Sequence, residues 1–137
     1  RFYEELDEGG ALLAEFGIKI CDLGVSQLIL FKEQSHPGRC IVAYKDHVSE
    51  IVNLTDEERS AFFADVNRAA NAIHKAFHPE KVNYGAYGDT GCHLHFHLVP
   101  KYRDGFEWGG VFAMNPKQTY LTDEQYAEMI EKIKSNL

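Results

Sequence analysis

Three histidines alternate with apolar residues in one short stretch of the chain, and no other feature of the sequence restricts the fold as strongly. The stretch is His93-Leu94-His95-Phe96-His97-Leu98-Val99. Because successive side chains of a β-strand point to opposite faces, a strand here places three imidazoles on one face and apolar side chains on the other. The pattern therefore predicts a strand with one face in a hydrophobic core and one face available for chemistry.

Further strands are predicted on either side of this stretch. Apolar and β-branched runs favour strands at 18–23, 25–32, 39–45, 82–87 and 92–99. Pro100 is expected to end the pairing of the last strand because proline has no N–H to donate. The turn residues 35–38 join the second and third runs over a short distance, which predicts an antiparallel hairpin.

Two helices are predicted from capping signals. Thr55 and Thr122 each begin a capping box and precede apolar residues at helical spacing, and Pro79 follows the first run. Residues 1–16 are predicted as a weak helix. Together these elements predict one α+β domain over residues 1–137, a mainly antiparallel sheet with one long helix and a C-terminal helix.

Composition excludes several classes of partner. The chain of 137 residues carries 14 Lys and Arg against 21 Asp and Glu, a formal net charge of −7. Such a balance argues against duplex nucleic acid and against a membrane surface, which both attract clustered positive charge. Three widely spaced cysteines do not form a disulfide framework, so we expect a reducing, cytoplasmic compartment.

The alternating histidines are open to three interpretations. They lie on a partly solvated sheet face without function, they contribute to a metal site, or they carry out chemistry on phosphate. Three successive imidazoles on one strand spread too far to share one ion, so a metal would need ligands from elsewhere. In phosphate chemistry the central imidazole is the nucleophile and its neighbours donate hydrogen bonds. The loop Gly88-Asp89-Thr90-Gly91 offers backbone N–H groups and a hydroxyl to an anion, or is an ordinary turn.

These residues resemble the histidine-triad (HIT) superfamily of nucleotide hydrolases and transferases. The triad motif, residues 38–47, the long helix and Asn83-Tyr84 before the glycine loop occur in similar order in bacterial HIT proteins, so the resemblance covers about residues 20–108. It implies the HIT-like fold. It also implies that His95 attacks the α-phosphorus of a nucleotide, that His93 and His97 contact phosphate oxygens or protonate the leaving group, and that Asn83 lies near the phosphate.

Two positions depart from the family pattern. Arg39 stands where several HIT hydrolases have a further histidine, and it either faces the phosphate as a cation or lies on the surface. Asp89 stands where glutamine is frequent, and an ionised carboxylate there repels phosphate. His97 favours the hydrolase branch, because the uridylyltransferase branch has glutamine at that position.

The resemblance implies a substrate class and an assembly. We expect a nucleoside phosphoramidate or a dinucleoside polyphosphate as substrate, a purine nucleotide as the bound group, no required cofactor, and a homodimer. A non-catalytic nucleotide-binding module is the first alternative and a metal-dependent hydrolase the second. A structural zinc ion held by His47 and His93 is a lesser expectation, because the cysteine pair that completes this site in some bacterial relatives is absent from the 137 residues.

Overall fold

A five-stranded antiparallel sheet with helices on one face forms the fold. The computed structural model describes residues 16–89, 93–114, 116 and 118–137. The strands lie in the order β1-β2-β3-β5-β4. Their bounds are Gly17–Asp22 (β1), Ser26–Phe31 (β2), Cys40–Tyr44 (β3), Lys81–Gly85 (β4) and His95–Lys101 (β5). The predicted α+β class and the predicted hairpin between β2 and β3 are confirmed. The weak helix predicted over 1–16 falls, except for its last residue, outside the described residues.

Both predicted helices are present and begin at the predicted caps. Helix α1 spans Asp56–Phe77 and helix α2 spans Asp123–Lys134. The hydroxyls of Thr55 and Thr122 accept hydrogen bonds from the backbone three residues later, as a capping box requires. Helix α1 ends in a left-handed residue, His78, immediately before Pro79. Within the described ranges, neither helix is both long and apolar enough to cross a membrane.

The two faces of the sheet have different contents. One face packs against the helices, and its side chains along the central strands are mostly apolar, including Leu28, Leu30, Val42 and Leu98. The buried Ser26 hydroxyl on this face donates to the Asp65 carboxylate of α1. The opposite face, called here the outer face, carries a small apolar cluster of Ile29, Phe31, Ile41 and Ala43. Buried charged and imidazole side chains lie beside that cluster, at Arg39, His95, His97 and Lys101. Alternation along each strand therefore separates a core from a polar surface that is also buried.

The bounds of β5 correct two predictions. The strand begins at His95, not at residue 92, because the Leu94 N–H donates to the Val48 carbonyl in the segment after β3. The strand also continues through Pro100, which is opposite Val82 in β4. Lys101 directs its carbonyl to β4, so the nitrogen of Pro100 points to the other side, where β3 has already ended. No ladder hydrogen bond is lost there, and the expected end of pairing at Pro100 is wrong.

Candidate functional site

His95 is held as a neutral imidazole in one tautomer. Its ring is 2% exposed, and Nδ1–H donates to the backbone carbonyl of His93 over 2.9 Å. Since the carbonyl can only accept, the lone pair of the neutral ring is on Nε2. Burial, with a smaller electrostatic contribution from His93, lowers the pKa of His95 to about 4 against the opposing effect of the backbone hydrogen bond. At neutral pH this imidazole is therefore a nucleophile that needs no deprotonation.

His97 has the opposite tautomer. The Arg39 guanidinium donates from Nη2 to His97 Nδ1 over 3.2 Å. A guanidinium has no acceptor, so the proton of the neutral His97 ring is on Nε2. Burial lowers the pKa of His97 to about 2, with further contributions from the charge of Arg39 and from His95. The two rings are adjacent, with centroids 5.1 Å apart. One strand thus presents a lone pair at His95 and an N–H donor at His97.

Arg39 is buried behind His97 and does not lie on the surface. Its side chain is fully buried, and its guanidinium lies 4.3 Å from the ring centroid of Phe31 and 5.0 Å from that of Phe112. One amino group donates to the Ala113 carbonyl over 3.1 Å, whereas Nε has no hydrogen-bond partner among the described residues. Burial lowers the pKa of Arg39 to about 10, although nearby carboxylates oppose this. Of the two alternatives for Arg39, a surface position is therefore wrong, and its role as a cation that faces the phosphate stays a prediction.

A hydrogen-bonded chain from the segment after β5 supports Arg39, and the sequence reasoning did not find it. Glu107 receives a hydrogen bond from His36 Nε2 over 2.7 Å and contacts the Ala113 N–H at 3.2 Å. Ala113 in turn contacts Arg39 through its carbonyl. Although burial raises the pKa of Glu107, the hydrogen bonds from His36 and Ala113 outweigh it and lower that pKa. The partners are separated by 71 and 74 residues, so no local pattern indicates them.

His93 lies outside the strand and contributes differently from His95 and His97. It is 1% exposed, and its Nε2 donates to the Tyr44 carbonyl. Its ring centroid is 5.9 Å from that of His47, the second residue of the expected zinc pair. Among the described residues, no group of three or more His, Cys, Asp or Glu side chains is placed to hold a metal ion. The described hydrogen bond between His93 and the rest of the triad is the one that its backbone carbonyl accepts from His95 Nδ1–H.

A cavity of about 460 Å³ adjoins His95. The structure brings His95 together there with Gly88 and Asp89, both predicted from sequence, while Thr90 lies outside the described residues. The 3₁₀ turn Ile51–Asn53 and the residues before it form another wall. Two carboxylates, Glu50 and Asp89, line this cavity, so its electrostatic character is acidic. A neutral or cationic group suits such a space better than a further phosphate does.

Asn83 does not share that cavity. It lines a second space of about 260 Å³, together with Lys81, Lys101 and Trp108. Asn83 is opposite Val99 in the sheet, two pairs beyond the pair formed by Gly85 and His97. Asn83 and His95 thus line different cavities, and the predicted contact of Asn83 with the substrate phosphate stays a prediction.

Comparison with known proteins identifies relatives of this arrangement. The HIT domain model matches residues 20–104. The AP-4-A phosphorylase of Mycobacterium tuberculosis is 33% identical over 81 residues, which are 55% of this chain and 38% of that protein. The adenosine 5'-monophosphoramidase of Schizosaccharomyces pombe is 24% identical over 127 residues, 88% of each chain. A histidine triad protein of Sinorhizobium meliloti superposes with a TM-score of 0.84 at 26% identity, covering 91% of this chain and 93% of that one.

Proposed function

The chain belongs to the HIT family, and on that premise we propose that it hydrolyses nucleoside phosphoramidates or dinucleoside polyphosphates through a nucleotide covalently bound to His95. The observation that supports this most is the hydrogen bond from His95 Nδ1–H to the His93 carbonyl, which directs a lone pair to Nε2. Histidine is a suitable nucleophile because it is neutral, forms a labile bond to phosphorus and is regenerated by water.

The proposed reaction has two steps. His95 Nε2 attacks the α-phosphorus, the bond from phosphorus to the leaving group breaks, and the leaving group departs with its electron pair and takes up a proton from solvent. Water then attacks the same phosphorus and loses a proton to solvent, the bond to Nε2 breaks, and a nucleoside monophosphate is released with His95 restored. His97 Nε2–H donates to a phosphoryl oxygen as negative charge develops, and His93 positions His95 through its carbonyl. Arg39 acts on His97 from behind the site.

The acidic cavity beside His95 favours an amine as leaving group. Glu50 and Asp89 repel a departing polyphosphate but accept hydrogen bonds from an ammonium group. The S. pombe relative is named a monophosphoramidase and the M. tuberculosis relative a phosphorylase of AP-4-A. Because this chain aligns with only 38% of the phosphorylase, its substrate is a weaker guide than that of the monophosphoramidase. We therefore place phosphoramidates first.

Release of AMP from adenosine phosphoramidate tests the proposal. We expect turnover in the wild-type protein, and a loss of at least about 10⁴-fold in His95→Ala because the nucleophile is removed. His74→Ala, an exposed histidine of α1, is the matched control and should retain full activity. Binding of AMP without release, in both the wild type and His95→Ala, would identify a non-catalytic nucleotide-binding module instead. Activity lost on chelation and restored by zinc would identify a metal-dependent hydrolase.

The homodimer remains a proposal drawn from the family resemblance. In the described sheet, β4 is an edge strand, and Tyr84 on it is 52% exposed. An edge strand with an exposed aromatic side chain is suited to pairing with a second copy. Sedimentation equilibrium of the wild type and Tyr84→Asp tests this directly. A dimer in the first and a monomer in the second are expected, and a wild-type monomer at all concentrations would contradict the proposal.

A further inference from the structure

Two lysines are direct cross-strand partners on the outer face of the sheet. Lys81 in β4 is opposite Lys101 in β5. Like charges directly opposite each other destabilise an antiparallel pair, so such a pair needs compensation. Neither ammonium lies within 4.0 Å of a carboxylate among the residues that the structure describes. The two positive charges therefore face each other without a direct ion pair.

Lys101 is the buried member of this pair. Its side chain is 2% exposed, and Nζ donates to the carbonyls of Glu107 and Gly110 over 2.6 and 2.8 Å. Carbonyl oxygens satisfy hydrogen bonds but do not neutralise the charge. The Glu107 carboxylate is hydrogen-bonded to His36 and Ala113 and interacts with the Lys101 charge without a direct ion pair. With two neutral hydrogen-bond acceptors, the buried ammonium keeps one N–H beside the cavity of about 260 Å³, and its charge is offset only at a distance.

The rest of that cavity is also suited to an anion. The Asn83 amide lines it and makes no described hydrogen bond, so its NH₂ group is available as a donor. Trp108 forms another wall, and the Arg103 guanidinium lies 5.2 Å from its ring centroid. The carboxylate of Glu80, the residue before β4, accepts a hydrogen bond from the Arg103 backbone N–H. Two lysines and one amide thus line the same cavity as Gly109 and Gly110.

The cavity is distinct from the space beside His95. Lys101 lies six positions along the extended strand from His95, a distance of about 20 Å. The Phe112 ring packs against Gly85, the residue opposite His97, so closely that a Cβ on Gly85 would lie 2.7 Å from its Cζ. The Phe112 ring also lies 6.0 Å from that of His97. One phosphate cannot contact His95 and Lys101 together.

We propose that Lys81, Lys101 and Asn83 form a second anion site, which binds a phosphate group. The group is either free phosphate or pyrophosphate, or the far end of a long polyphosphate substrate. In each case the oxyanion accepts hydrogen bonds from both ammonium groups and from the amide, and it removes the repulsion between the lysines. The proposal goes beyond the hydrolase function and does not depend on turnover.

Trp108 is the single tryptophan of the chain and lines this cavity, so its fluorescence reports binding there. We expect inorganic phosphate or pyrophosphate to produce a saturable change that sodium chloride at equal ionic strength does not. Lys81→Glu should weaken the apparent affinity at least tenfold, because Lys81 is exposed and its replacement does not disturb the core. Lys75→Glu makes the same charge change on α1 and should leave the affinity unchanged. Asn83→Ala, a second variant that keeps both lysines, should weaken it several-fold.

The same titration in His95→Ala distinguishes the two sites. A response retained in His95→Ala and lost in Lys81→Glu supports the second site. A response lost in His95→Ala and retained in Lys81→Glu places the phosphate at the triad and overturns the proposal, as does an absence of saturation in the wild type. Because no turnover is measured, failure of the hydrolase proposal leaves this result unaffected.

Kinetics then identify the source of the phosphate. If Lys81→Glu raises KM at least tenfold for a dinucleoside polyphosphate and leaves KM for a phosphoramidate unchanged, the bound group is the far end of the substrate. If both KM values stay unchanged while phosphate binding is lost, the site takes a separate ligand. Equal loss for both substrates would show that Lys81 acts on the triad itself and would overturn the assignment.

Discussion

Burial has different consequences on the two faces of the sheet, although the same alternation of side chains along each strand produces both faces. Leu98 and His97 are neighbours on β5, and both are almost completely buried. Leu98 packs into the core beneath the helices, where burial itself is favourable. His97 is buried beside Arg39, where burial opposes protonation and holds the imidazole neutral. The comparison shows that exclusion of water stabilises one face and sets the chemical state of the other.

We therefore expect the free energy of unfolding to fall in acid because of the buried imidazoles of the outer face, and not because of the apolar core. The pKa of His95 and that of His97 are lowered in the folded state, so the unfolded chain binds more protons below about pH 6.5 and stability falls as pH falls. Each histidine accounts for a loss of about 3 kcal/mol between pH 6.5 and 4. Urea unfolding across this range measures the loss.

A variant of each face sharpens this result. The double variant His95→Gln, His97→Asn should show a shallower dependence on pH, since two of the titrating groups are gone. Leu98→Ala should show a curve parallel to that of the wild type, displaced downward at every pH. Identical slopes in the wild type and the double variant would contradict the burial of neutral imidazoles.

Neighbouring substitutions on β5 should separate stability from activity. Leu98→Ala removes a fully buried side chain and should cost about 2–5 kcal/mol of unfolding free energy. His97→Asn keeps an acceptor for Arg39 near the position of Nδ1 but removes the Nε2–H donor. Its unfolding free energy should change by about 1 kcal/mol or less at pH 8, while kcat falls about 10²–10³-fold. Equal effects of the two variants on both quantities would remove the distinction between the faces.

Arg39 tests whether the outer face sacrifices stability for function. Its guanidinium is buried without an ion pair to a carboxylate among the described residues, and its Nε has no partner. Replacement by an apolar side chain of similar volume, Arg39→Met, should stabilise the fold by about 1–2 kcal/mol. The same change removes the donor to His97 Nδ1 and should reduce kcat/KM about tenfold or more. A destabilised and fully active variant would show that the charge is structural.

Glu107 should have the smallest effect, because it acts through two other residues. Glu107→Gln keeps an acceptor oxygen but removes the charge that His36 contacts, so we expect a loss of about 1 kcal/mol in stability. The pKa of His36, lowered by burial and opposed by Glu107, should fall further, which ¹⁵N NMR of the imidazole measures. An unchanged His36 signal would exclude the hydrogen bond.

Local sequence patterns predicted the helices and strands, whereas the exact strand bounds depend on contacts between residues far apart in the sequence. Caps at Thr55 and Thr122 and the alternation on β5 depend on neighbouring residues, and these predictions held within a few residues. The prediction that pairing ends at Pro100 was wrong. A proline is accommodated there only because β3 has already ended, and the sequence near Pro100 does not indicate where β3 ends. The position of Lys101 on the outer face could have been predicted, because it continues the alternation of His95 and His97 along the strand.

The site was predicted in part for the same reason. The resemblance to the HIT family indicated His95 and the loop at Gly88 and Asp89, and the structure brings these three together around one cavity. The burial of Arg39 depends on Ala113, 74 residues away, so spacing alone could not reveal it. Asn83 was predicted to lie near the same phosphate as His95. It lines a different cavity, with Lys81 and Lys101, so that contact stays a prediction.

The covalent nucleotide on His95 is the central claim, and trapping it tests that claim most directly. The protein is mixed with an adenosine phosphoramidate, quenched during turnover under alkaline denaturing conditions that preserve the bond between phosphorus and nitrogen, and digested for mass spectrometry. We expect an adenylyl group on the peptide that contains 93–97, with fragment ions assigning it to His95, and none in His95→Ala. An adduct on another residue, or turnover without any adduct, would contradict the account.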